Sequence, residues 1–277
     1  METFDFLPVA GERILTILHE PAAARGEGVL MVHAFAEEKL WTARATTRLA
    51  RALADVGLTV LRFDHRGHGD SDRDHHEMRL ATLVEDLDAA AARLREAGAA
   101  TLHLFGFRLG GVLALLRAAD LGAASVALVN PPPAGRDYLL KALRSNLTTQ
   151  LSLYDGVRRD REALLADMRG TGLLNIDGYH VHRELFDELA ALDLAAAPPA
   201  FAGPGLVLSL VRREGAAPDA GSRRVFEAAL AGHPASRLEA RAHAALWGEQ
   251  KTFQTGDPAL LEPLVDWFAG GWRGGAP

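Results

Sequence analysis

Arg108 stands in the middle of the run Gly106-Phe-Arg-Leu-Gly-Gly111, directly after an apolar stretch. Small residues at 106 and 110 permit a tight strand-to-helix elbow, and such an elbow exposes its middle side chain at the top of a sheet. The backbone N–H of Leu109, the next residue, then points at an anion position at a helix N-terminus. A second donor is expected after the strand that ends at His33, most directly the N–H of Phe35. Arginine stays protonated near neutral pH, so it is neither a nucleophile nor a general base. It is a fixed cation suited to a carboxylate, a phosphate or a developing oxyanion. The bland alternative is an internal ion pair with Glu37 or Glu38 that plugs the position. The two readings overlap if that glutamate orients the guanidinium for a ligand.

The elements around this elbow follow from apolar spacing. Residues 3–8 and 12–18 read as an antiparallel strand pair and 28–32 as a buried strand. A helix is expected over 42–56, a strand over 58–63, and a polar loop over 64–72. In 78–97 the residues Leu80, Leu83, Val84, Leu87, Ala91 and Leu94 fall on one helical face. Strand 101–105, helix 109–120 and strand 125–129 come next. The rhythm breaks at Asn130-Pro-Pro-Pro, and 131–200 reads as mostly helical. It resumes with strand 205–210, helix 222–232, strand 237–242 and a final helix over 258–269. Strands alternating with helices predict an α/β fold with a mostly parallel central sheet covered on both faces. The expected division is a core of residues 1–130 and 201–277 with a cap inserted at 131–200, over the C-terminal strand ends where such sheets place their sites.

Composition narrows the function classes. The chain has 277 residues, 48% hydrophobic and 24% charged, which fits one large globular unit and excludes bulk disorder. A formal charge of −6 gives no footprint for nucleic acid. Cysteine is absent, which excludes disulfides, thiolate metal sites and a cysteine nucleophile. No basic, then apolar leader opens the sequence and no run long enough to span a bilayer occurs, so a cytoplasmic protein is expected.

With its elbow, His33 upstream and the loop Arg66-Gly-His-Gly-Asp-Ser-Asp72 between them, nearly the whole chain resembles the α/β-hydrolase superfamily. That resemblance implies a catalytic acid after the strand before last, often four residues ahead of a proline, and Glu214-Gly-Ala-Ala-Pro218 fits, with Asp219 in reserve. It implies a catalytic histidine after the last strand, where His243 stands. The departure is central: Arg108 occupies the place of the nucleophilic serine. The stretches Phe35-Ala-Glu-Glu38, Gly106-Phe-Arg-Leu-Gly110, Gly135-Arg-Asp-Tyr-Leu-Leu140 and Gly178-Tyr179 resemble one subgroup, the exosortase A system-associated hydrolases of the second type, which the resemblance also gives an arginine at the elbow. His65, His68, Asp70, Asp72, Asp74, His75 and His76 have metal-ligand chemistry, but their first half matches a turn of this fold and their second half a solvated charge run. No metal and no cofactor are expected.

Three functions fit these residues. In the first, His243, oriented by Glu214, activates water or an incoming hydroxyl or amine against an acyl group. Arg108 and the N–H groups of Phe35 and Leu109 then hold the oxyanion, and His33, Glu37, Glu38 and Tyr179 line the substrate. The second is a lyase, cyclase or isomerase that uses the same base beside an anion held by Arg108. The third is a ligand-binding protein without turnover. The partner expected in each is a small acyl-bearing or anionic molecule, with a homodimer compatible with all three.

Overall fold

The computed structural model describes residues 1–154, 159–248 and 258–273. Its centre is an eight-stranded sheet of order β1-β2-β4-β3-β5-β6-β9-β10. β1 (Glu2–Val9) and β2 (Glu12–His19) form the antiparallel edge, and β2 pairs antiparallel with β4 (Thr59–Phe63). From β4 onward every pairing is parallel, through β3 (Glu27–Val32), β5 (Thr101–Phe107), β6 (Ser125–Val129), β9 (Gly205–Val211) and β10 (Arg237–Ala242).

Side-chain alternation assigns the two faces. Leu30, Val32, Leu104, Leu128 and Val207 join one apolar cluster with Leu83, Leu87 and Leu94 of α2 (Leu80–Glu96) and Val112 and Leu115 of α3 (Leu109–Ala118). Val225 of α7 (Ala220–Ala229) joins the same cluster. Val29, Met31, Phe105, Phe107, Val129 and Leu208 point the other way. They pack with Leu49 and Leu53 of α1 (Glu37–Asp55), with Leu264 of α8 (Pro258–Asp266), and with Trp267 and Phe268 beyond it. A strand buried on both faces reads as a continuous apolar run, which is why these strands were visible without alternation.

Two boundaries differ from expectation. α1 begins at Glu37, five residues early, because Glu37 and Glu38 favour the positive end of the helix dipole. β5 runs two residues further, to Phe107, because both phenylalanines of the run Phe105-Gly-Phe107 are buried on the α1 face.

Residues 131–200 contribute α4 (Gly135–Tyr154), α5 (Arg161–Thr171), α6 (Arg183–Ala191) and an antiparallel hairpin, β7 (Leu173–Ile176) with β8 (Tyr179–His182). The hairpin corrects the mostly helical reading. Asp177-Gly178 makes the two-residue turn between Ile176 and Tyr179, both turn residues at positive φ. The neck of this stretch is stitched by Gly135 N–H to Leu192 O and Leu194 N–H to Pro133 O, each 2.8 Å. Its apolar side chains, among them Tyr138, Leu139, Leu174, Val181 and Leu185, belong to the same cluster as α2 and α3. Among the described residues no helix is long and apolar enough to cross a membrane.

Candidate functional site

The elbow forms as its glycines require. A Cβ on Gly110 would run into the carbonyl oxygens of Val32 and His33, and one on Gly106 into the backbone of Gly110. Gly110→Ala is therefore expected to cost at least about 3 kcal/mol, through backbone overlap that no rotamer relieves. Urea unfolding checks this, and a loss under 1 kcal/mol would show the elbow to be plastic. At the apex Arg108 has φ 52° and ψ −122°. Ala36, ahead of α1, has nearly the same geometry, φ 50° and ψ −132°. Each non-glycine residue in such a conformation carries about 1–3 kcal/mol of strain, and such strain concentrates at functional sites.

The Arg108 guanidinium is held from both sides. Its Nε donates to Glu38 Oε1 at 3.2 Å, and its Nη1 to the carbonyl oxygen of Asn130 at 2.9 Å. The Trp247 ring lies 4.6 Å and the Tyr138 ring 5.5 Å from its central carbon. The side chain is 15% exposed. Nη2 and the second Nη1 hydrogen have no acceptor among the described residues, so part of the five-donor fork is open.

Glu38 is the counter-charge, and Glu37 is the neighbour that lines the cavity beside it. The Tyr138 hydroxyl donates to Glu38 Oε2 at 2.8 Å. Burial raises the Glu38 pKa above the usual carboxylate range, outweighing the Arg108 charge and the Tyr138 hydrogen bond. Burial, with the Glu38 charge, pushes the Tyr138 phenol well above its ordinary value. Arg108 lines a cavity of about 250 Å³, walled by Phe35, Leu139, Ala142, Ile176 and Trp247 and rimmed by Lys141 and Asp177. A second hollow of about 210 Å³ lies across Arg108 and Tyr138, between the Pro131–Pro133 ridge and the start of α7.

The carboxylate tied into this network from the far side is Asp219. Asn130 Nδ2 donates to its Oδ2 at 2.9 Å, as do the hydroxyls of Ser209 at 2.7 Å and Ser222 at 2.5 Å, while Oδ1 caps α7. Burial alone would raise its pKa, but the donors from Ser222, Ser209 and the Gly221 amide hold it below the usual range. Glu214 lies in an exposed loop, and no hydrogen bond joins it to His243. The loop leaves the sheet after Val211, so Asp219 at the helix start reaches back to the strand ends and Glu214 does not. His243 is half-buried. Its N–H continues the ladder to Val211 O at 2.8 Å, its Nδ1 lies 2.7 Å from Ala244 O, and it does not line the cavity at Arg108.

Phe35 and Leu109 come together as neighbours around a void of about 10 Å³ that His33, His65 and His68 also border. Neither backbone N–H has a hydrogen-bond partner among the described residues, whereas the Ala36 N–H donates to His68 Nε2 at 3.3 Å. His33 accepts the His65 N–H through Nε2 at 3.2 Å. Tyr179 packs on His75, ring centres 5.1 Å apart, and does not line the cavity. Among the described residues no group of three or more His, Asp or Glu side chains is arranged to hold a metal ion. Asn130, Tyr138 and Trp247 carry the geometry of the site without having been singled out. The break at Asn130 was a usable signal, but nothing in the local sequence marks Trp247 as a lid on a cation.

Comparison with known proteins agrees with this architecture. Est1E from Butyrivibrio proteoclasticus, in its ferulic acid complex, superposes with a TM-score of 0.66 at 14% identity, covering 97% of this chain and 98% of that one. The esterase domain of a Rhodothermus marinus protein gives 0.65 at 20% identity over 99% and 98%. A proline iminopeptidase of Mycobacterium smegmatis gives 0.61 at 16% identity over 98% of both chains. No curated protein matches the chain. The model of the alpha/beta hydrolase fold family matches residues 28–197, more than half of the sequence, and the chain belongs to that family.

Proposed function

We propose that the chain is a hydrolase-type enzyme acting on a small acyl-bearing molecule without an acyl-enzyme intermediate. One observation carries this reading: a strained elbow presents a cation with open donors, not a nucleophile, to a walled cavity. The acyl oxygen would sit on the outer edge of Arg108, where charge developing in the transition state meets fixed donors in a water-poor site. The N–H groups of Phe35 and Leu109 are the supporting donors. Water, or a hydroxyl or amine, attacks the acyl carbon directly and gives its proton to the base; the carbonyl re-forms as the acyl–heteroatom bond breaks, and the alcohol, thiol or amine leaves carrying that proton. His243 is the proposed base. The pairing with Glu214 draws no support from the geometry, and Asp219 is the carboxylate that the fold ties to Arg108 through Asn130.

A second reading is favoured by the placement of His243 outside the cavity lining: a ligand-binding member of the fold without turnover. The resemblance to the exosortase-associated subgroup, with arginine at the elbow, fits both. The test is a fluorophosphonate probe followed by intact mass, alongside turnover of acyl esters and thioesters with the product profile followed from the first turnover. No adduct and no burst are expected, because the probe needs an activated nucleophile. Stoichiometric labelling at any cavity residue would overturn the reading. Turnover of an acyl substrate lost on His243→Ala, with binding retained, would exclude the purely binding alternative.

A further inference from the structure

The buried charges at the elbow are balanced one for one. Arg108 is the cation, Glu38 the anion, and their side chains are 15% and 18% exposed. Both Glu38 oxygens accept hydrogen bonds, Oε1 from Arg108 and Oε2 from Tyr138. Of the remaining charged groups at the cavity, Lys141 on α4 is exposed, while Glu37 on the same helix and Asp177 in the hairpin turn are half-buried. The wall against Glu38 and Arg108 is otherwise apolar or aromatic, from Phe35, Leu139, Ala142, Ile176 and Trp247.

A carboxylate placed on the open edge of Arg108 would leave two anions around one buried cation. An uncompensated buried charge is costly, and two carboxylates sharing one site do not both stay ionised. Of the two, Glu38 is the one that burial already disposes toward the neutral acid. We infer that this cavity is a site for apolar monocarboxylates, seated by their carboxylate on Arg108, and that Glu38 takes up a proton from solvent as they bind. The inference rests on the acyl-hydrolase reading, because a carboxylate is what hydrolysis of an acyl ester leaves at Arg108. Space for roughly eight non-hydrogen atoms, at about 30 Å³ each, sets the size of the apolar body. The departing acid then carries away the oxygen of the attacking water, and Glu38 returns its proton to solvent when the site empties.

The probe is hexanoate, with hexanol and hexylammonium as controls, titrated calorimetrically on the intact chain at pH 6, 7 and 8. Each pH is run in two buffers of different ionisation enthalpy. Hexanoate alone is expected to bind, with one proton taken up and affinity falling about tenfold per pH unit above the Glu38 midpoint, as linkage requires. Glu38→Gln removes the counter-anion. It is expected to tighten hexanoate binding at pH 8 at least tenfold and to erase both the proton uptake and the pH dependence. The wild-type buffer comparison tests the same point if that variant folds poorly. Hexanoate binding with no proton uptake would overturn the coupling and leave the acyl-hydrolase reading standing. Absence of hexanoate binding at every pH, or equal binding of hexanol, would overturn the carboxylate site itself. An acyl-enzyme adduct would instead overturn the hydrolase mechanism and is read by mass, independently of this titration.

Discussion

Lowering the pH from 7 to 5.5 is expected to remove several kcal/mol of stability. The cause is a column of rings under the 131–200 segment. His33 stacks edge-on to His65 and His68, His68 to His75, and His75 to Tyr179, with centres 4.8–5.1 Å apart. Burial holds His33 and His68 well below the usual imidazole value, and each also lies beside another histidine. His75 is lowered by burial against its contact with His180 O. His19, at the other end of the sheet, is lowered to about 4 by burial and by Arg62.

The sign follows from linkage. In the unfolded chain these groups protonate near 6.5, while the folded state resists, so their contribution is complete above 6.5 and is lost as pH falls below it toward the depressed folded values. Between pH 7 and 5.5 a histidine that stays neutral in the folded state forfeits about 1 kcal/mol, so His33, His68 and His19 together give about 3 kcal/mol, a large share of a typical 5–15. His75 and His103, also lowered by burial, add to it in the same direction. Glu38, whose pKa is raised, works in the opposite direction, but it is one group against five. Urea midpoints at the two pH values check this. A flat profile would show that the rings titrate freely in the folded state.

Arg108→Ser is expected to yield no working esterase and to destabilise the fold by about 3–5 kcal/mol. Removing the guanidinium leaves Glu38 buried without its cation, and breaking a buried pair from one side costs that much. The Asn130 carbonyl and the Trp247 ring lose their partner as well. A serine hydroxyl needs a base within about 2.6–3.2 Å, and the one charged side chain hydrogen-bonded to Arg108 among the described residues is the Glu38 carboxylate, with His243 outside the cavity lining. Glu38→Gln in the Arg108→Ser background is expected to recover most of the lost stability, since it neutralises the stranded charge. Rapid turnover of aryl esters by Arg108→Ser would show instead a triad that lacks only its hydroxyl.

The sequence by itself determined the strand–helix order, the elbow and its apex. Those signals are local: apolar runs set by burial on both faces of a parallel sheet, and small residues where backbones must nearly touch, as Gly110 does against His33. It also narrowed the counter-ion of Arg108 to Glu37 or Glu38, because both follow directly on the strand that ends at His33. The choice between them was tertiary. A helix turns about 100° per residue, so neighbours face different ways. The hydrogen bonds from Arg108 and from Tyr138, 100 residues from Glu38, show that Glu38 faces the elbow.

Which carboxylate joins the Arg108–Asn130 network was also decided by the fold. Glu214 has the expected spacing to proline, but an exposed loop carries it away from the strand ends, while Asp219 caps α7 and is drawn back by Ser209 and Asn130. The β7–β8 hairpin was within local reach, since Asp177-Gly178 is a two-residue turn signal, but the ring column and the Trp247 lid were beyond local reading. Each is held by partners far apart in the chain: His75 by His180 O, Trp247 by Arg108. Spacing reports which face of an element is apolar. Which distant side chain meets that face depends on how the elements pack, and that packing is where the cation acquired its cavity.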